Sequence, residues 1–235
     1  MHGLPVHKLV CASNTNNVLT DFLRTGVYDR NRDFYKTISP SMDILISSNL
    51  ERLLYHMTDD AGKVAGWMQQ LRETGRYAID ADLLAKIQQV FWADWTSDED
   101  TKACIGEVFA DAHYVADPHT AVAWRVAEHY QKETGDTHHM VVVSTASPYK
   151  FNGSVLEALG EKTEGLDEFA LLDRLAAVSG TKIPEGLASL RNKEIRHDAP
   201  ARRRRWSSPY CTLPNRRTAE QQIPAHGEET ATGGS

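Results

Sequence analysis

Two short stretches of this chain place hydroxyl and amide side chains where chemistry could be done. The first is Ser144-Thr145-Ala146-Ser147-Pro148. It follows residues 140–143, Met-Val-Val-Val, an apolar run with no polar alternation. Such a run suits a strand covered on both faces, as in a parallel sheet. Small polar residues closed by Pro mark a turn. That turn then falls just past the strand's C-terminal end, where open α/β sheets bind ligands. A hydroxyl there gives or accepts one directed hydrogen bond. Local sequence alone also allows Ser144 and Thr145 simply to satisfy the turn backbone. The second stretch is Ser13-Asn14-Thr15-Asn16-Asn17, placed between an apolar run and a helical pattern. A helix N-terminus offers free N–H groups and partial positive charge, so it favours anions. Capping by Ser13 and the asparagines, or binding of a phosphate, both stay open.

The elements that must position these turns read as follows. Val6 to Ala12 is a strand, and Gly3 suits the end of a preceding helix. Val18, Leu19, Phe22 and Leu23 give one side of a helix closed by Gly26. Tyr28 to Thr37 reads as a surface loop. Ser48 and Glu51 have capping-box spacing before a helix with Leu50, Leu53, Leu54 and Met57 inward. Further stripes are Val64–Leu71, stopped by Gly75; Leu83 to Phe91; and Cys104 to Phe109, opened by Ser97 and Asp100. Asp117-Pro118 starts another helix, with Asp as N-cap, and Gly135 ends it. His119 reads as a capping or packing residue. Adjacent residues on a strand face opposite ways, so His138 and His139 make a poor chelate. Weaker helices carry Leu156 and Leu159, then Phe169, Leu172 and Leu175 before Gly180.

Composition bounds the rest. The 235 residues carry a net charge of −6, against a general nucleic-acid binder. No apolar run reaches the roughly 18 residues of a membrane helix. The three cysteines, Cys11, Cys104 and Cys211, are too scattered for a disulfide framework or a metal site. A cytoplasmic chain with reduced thiols and no metal is expected. From Ala199 the composition changes: six arginines stand against three glutamates, with no Lys or Asp. A disordered tail over 199–235 is the expectation, and a basic arm for an acidic partner is the functional alternative. The abruptness of the change suggests a shifted reading frame near Asp198.

With the turns placed, the chain resembles threonine synthases. The blocks are residues 11–22 (Cys-Ala-Ser-Asn-Thr-Asn-Asn-Val-Leu-Thr-Asp-Phe), residues 37–44 with 47–52, residues 117–123 (Asp-Pro-His-Thr-Ala-Val-Ala) and residues 144–151 (Ser-Thr-Ala-Ser-Pro-Tyr-Lys-Phe). Their order and spacing match, and the likeness runs from residue 3 to about 197. The resemblance implies an α/β fold: part of the fold-type II architecture of pyridoxal-phosphate enzymes, like the tryptophan synthase β subunit, a parallel sheet with helices. Residues 1–198 would be the C-terminal part of the catalytic domain. The implied reaction converts O-phospho-L-homoserine and water into L-threonine and phosphate, in threonine biosynthesis. The implied cofactor is pyridoxal 5′-phosphate, and the implied partner is that small substrate, with no nucleic acid and no membrane. Thr145 matches the hydroxyl that hydrogen-bonds the pyridine nitrogen. Ser13, Asn14, Asn16 and Asn17 match a block near the active site, with a role toward the substrate phosphate.

The departures are as informative. The family's Schiff-base lysine lies in a Phe-Lys-Asp-type segment. Lys36 and Lys150 lie instead in Tyr-Lys-Thr and Tyr-Lys-Phe. The Gly- and Asn-rich phosphate loop expected before Gly3 is missing, and so is the closing helix. A piece lacking the N-terminal half, inactive alone, is the expectation. Another fold-type II lyase, or a non-catalytic α/β module with a basic arm, are the alternatives.

Overall fold

The computed structural model describes residues 5–195. Gly3, the domain boundary at 198 and the arginine-rich tail lie outside the described residues. Among the described residues, no helix is long and apolar enough to cross a membrane.

Leu9–Ser13 forms β1, which pairs in parallel with β4, Phe91–Trp95, from Leu9 opposite Phe91 to Ser13 opposite Trp95. The strand begins later than its apolar pattern suggests. A parallel pair needs a crossover. Here the crossover contains α1 (Val18–Thr25), β2 (Val27–Asp29), α2 (Leu50–Thr58), α3 (Ala61–Thr74), β3 (Arg76–Ala78) and α4 (Ala81–Val90). Helices α5 (Asp98–Ala112) and α6 (Pro118–Thr134) follow, then α7 (Asn152–Ala158) and α8 (Glu168–Ser179). Both α1 and α6 pack against the β1–β4 pair. Residues 5–191 belong to one compact unit.

Two apolar cores hold it. The first joins Val18, Phe22, Leu54, Leu71, Leu83 and Ile87 across the helices of the crossover. At its centre Tyr28 and Tyr77 stack at 5.3 Å with planes 5° apart, and Phe22 lies 5.9 and 5.8 Å from them. Aromatic pairs in these geometries add to the area they bury. The Tyr28 hydroxyl accepts from Ser47 N at 2.8 Å and donates to Leu45 O at 3.0 Å, which pins the segment before α2. The second core packs Cys104, Ile105 and Val108 of α5 against Val155, Leu156 and Leu175.

Three expectations need correction. Tyr28 is buried and lies in β2, antiparallel to β3, rather than on a surface loop. A three-residue strand leaves almost no periodic trace. Gly75 makes the turn from α3 into β3: its φ is +76°, and a Cβ there would lie 2.2 Å from Asn31 Oδ1. Helix α2 starts one residue late for the capping box, with Asn49 as N-cap and no side-chain cap bond. The third correction concerns residues 140–143, which form no strand. Val141 is 85% exposed and Val143 70%. An apolar run reports a tendency to be covered, but a strand exists only where a neighbour supplies the ladder. Among the described residues no strand does so.

Burial pushes the Cys11 thiol up to about 11 and the Cys104 thiol up to about 12. Thiolate is the reactive form. In a Cys211→Ser chain at pH 8, neither thiol should react with a disulfide reagent in native buffer. Both should react in denaturant, as read by thiol titration.

Candidate functional site

A polar network runs from the C-terminal end of β1 to the Ser144 turn. Ser13, the last residue of the strand, is buried, and its Oγ lies 3.1 Å from Thr20 Oγ1 on α1. Asn14 is also buried. Its Nδ2 has acceptors at 2.8 Å (Thr37 Oγ1), 2.8 Å (Asp43 Oδ1) and 3.0 Å (Ser39 Oγ). Its Oδ1 accepts from Asn16 N at 2.9 Å, an Asx turn that bends the chain off the strand. Asn16 donates through Nδ2 to Tyr35 O at 2.8 Å and to Asp43 Oδ1 at 3.0 Å, and it accepts from Tyr35 N at 2.9 Å. Asp43 in turn accepts from Thr37 Oγ1 at 2.6 Å and from Thr37 N at 3.1 Å. One carboxylate therefore gathers both asparagines and the residue 35–43 loop.

The network continues through the 3₁₀ turn Pro40–Met42. Ser41 N donates to His119 Nε2 at 3.2 Å. That nitrogen must then carry the lone pair, which leaves Nδ1 to donate to Asp117 Oδ1 at 2.9 Å. Asp117 caps α6 and also accepts from His119 N at 2.9 Å and from the Thr120 hydroxyl. Burial opposes the charge on Asp117, but these hydrogen bonds outweigh it and hold its carboxyl below the usual range. Thr120 Oγ1 lies 3.0 Å from Ser144 Oγ, and the Tyr114 hydroxyl lies 3.1 Å from the same atom. The His119 ring lies 4.8 Å from that of Phe151.

The residues singled out in the sequence thus divide. Ser13, Asn14 and Asn16 are buried, and the two asparagines are spent on internal partners. Asn17 is half-buried, and its Oδ1 accepts from Arg32 Nη1 at 3.0 Å. Thr145 is exposed, and its side chain is hydrogen-bonded to none of the described residues, while its neighbour Ser144 is anchored. The structure brings the Ser13–Asn17 and Ser144 turns into one network through His119. Its local sequence marks His119 as a packing or capping residue; the bond to Ser41, 78 positions away, lies beyond that local pattern. Nothing local marks Tyr114.

Two outcomes follow. Asp43→Ala leaves several buried donors unpaired and should lower stability by about 3 kcal/mol, as read by urea unfolding. Asp117 has a folded pKa below its unfolded value, so its contribution is full above about pH 5 and is lost as pH falls through the folded value. The Asp117→Asn chain should start less stable at pH 7. Between pH 5 and 3 it should lose less stability than the parent.

The chain resembles known proteins in sequence and in fold. The family model described as threonine synthase, C-terminal, matches residues 120–200. Threonine synthase-like 1 of Macaca fascicularis is 44% identical over 161 residues, covering 68% of this chain and 21% of that protein. Threonine synthase of Saccharomyces cerevisiae is 34% identical over 196 residues, covering 77% of this chain and 38% of that one. The crystal structure of pyridoxal-phosphate-bound threonine synthase from Brucella melitensis superposes with a TM-score of 0.68 at 34% identity, over 82% of this chain and 37% of that one. The chain spans between about a fifth and two fifths of the length of these relatives. In sequence and in fold, the chain corresponds to a C-terminal portion of the threonine synthase family.

Proposed function

We propose that this chain contributes one wall of a pyridoxal-phosphate site that converts O-phospho-L-homoserine and water into L-threonine and phosphate. The observation that carries the reading is the polar network that starts at the end of β1, with the exposed Thr145, hydrogen-bonded to none of the described residues, directly beside its Ser144 end. The likeness to the Brucella melitensis enzyme, whose structure is described as bound to this cofactor, supports it.

The residues fit one edge of that cofactor. Thr145 would hold its ring nitrogen through a single hydroxyl hydrogen bond. When bound, the cofactor supplies an electron sink for chemistry at the substrate's α-carbon. The chain's own part is to position. Tyr114 and Thr120 fix Ser144, and so fix the backbone that presents Thr145. Asp117 fixes Thr120 and the His119 ring. Asn14 and Asn16 hold the strand-to-helix turn in shape, and Asn17 at the start of α1 is the member of that block left to face a phosphate. A rigid supporting shell of this kind is what keeps a binding group in productive geometry.

No lysine in the chain has the Phe-Lys-Asp context of the family's cofactor-binding lysine. Purified chain with pyridoxal phosphate and phosphohomoserine should therefore form no threonine. Joined behind the preceding portion of the Saccharomyces cerevisiae enzyme, in place of its own matching segment, it should form threonine and phosphate. Thr145→Val in that chimera should lower kcat by about tenfold or more, the loss of roughly one buried hydrogen bond. A chimera that is inactive though folded, or one indifferent to Thr145→Val, overturns the reading.

A further inference from the structure

The opposite end of β1 carries a second cluster of polar side chains, which the network above does not use. His7 lies two residues before the strand, and Asp136 and His138 lie just after α6. Their ligand atoms, one imidazole nitrogen from each histidine and a carboxylate oxygen, all lie within 4.8 Å of one another. His138 Nδ1 is 2.5 Å from Asp136 Oδ1, and His7 Nε2 is 3.8 Å from Asp136 Oδ2. The two imidazoles stack with centroids 4.8 Å apart and planes 16° apart.

We propose that His7, Asp136 and His138 form a binding site for a divalent first-row transition metal such as zinc or cobalt. Two imidazoles and one carboxylate are the donor set such ions prefer over magnesium or calcium, which take oxygen ligands. Bonds of about 2.0–2.2 Å in tetrahedral geometry put ligand atoms about 3.3 Å apart. The distances here lie on both sides of that value. The two histidines are 59% and 69% exposed, so they can rotate to close the gap without disturbing the core. Asp136 is the fixed member. Its carboxylate accepts from the Tyr130 hydroxyl at 2.6 Å and from His138 N at 2.9 Å. These bonds orient it as outer-shell partners orient metal ligands. The fourth position is left to water. Sequence spacing gives no hint of the site, because its ligands come from two places far apart in the chain. A metal there would tie the entry of β1 to the segment that leads into residues 140–143.

The test uses the full chain and cobalt(II), whose visible absorption reports coordination, with zinc as competitor. One cobalt per chain should bind and be displaced by zinc. His7→Ala and His138→Asn should each weaken binding at least tenfold. The asparagine keeps a donor toward Asp136 but is a poor ligand, so the fold is retained, as the unchanged metal-free melting temperature will show. His139→Ala should bind like the parent. Zinc should also raise the melting temperature of the parent and of His139→Ala, and leave that of His138→Asn unmoved. Absence of binding by the parent, or binding by the His7 and His138 variants as tight as that of the parent, overturns the proposal.

Discussion

The carboxylate of Asp43 is the point on which this end of the molecule depends. It accepts from Asn14, Asn16 and Thr37, groups brought from the end of β1 and from the loop that follows β2. A half-buried anion is tolerable only where donors replace the water it gave up. Here the donors are also the residues that define the turn, so ion, loop and turn are satisfied together or not at all. The 3₁₀ turn just before Asp43 then hands the constraint to His119, and through Asp117 and Thr120 it reaches Ser144. Four segments distant in sequence become one polar unit by sharing acceptors.

That unit stands on an ordinary apolar base. The stacked tyrosines of the first core fix the crossover, and α5 with α7 and α8 fixes the second. The two cores approach the site from different sides: α1 bears Thr20 against Ser13, and α6 bears His119 and Thr120 toward Ser41 and Ser144. A change in either core is expected to reach the site by moving a helix start, since packed interiors shift whole elements rather than deform smoothly.

Much of this was legible in the residues. Helices α1, α3, α5, α6 and α8 follow their apolar stripes and the glycine, Asp or Ser signals at their ends. The polar turns were visible because Ser, Asn and Pro break apolar runs for known physical reasons. What was not legible is of two kinds. Short strands such as β2 and β3 have too few residues to show a period. Residues 140–143 have the pattern of a covered strand, yet Val141 and Val143 are open to solvent; pattern states a preference for burial without saying which neighbour provides it. The long-range polar partners of His119, Asp43 and His7 could not be read at all, because such partners are set by topology and not by spacing.

The measurement that tests the account most directly is a double-mutant cycle between Asn14→Ala and His119→Ala, read by urea unfolding. The two side chains do not touch; they are joined through Ser39, Ser41 and the turn between them. If the turns act as one network, the two losses of stability should fall short of adding, with a coupling above about 0.5 kcal/mol. Losses that add within about 0.3 kcal/mol would mean that the turns are independent caps, and the unity on which the proposed site depends would be gone.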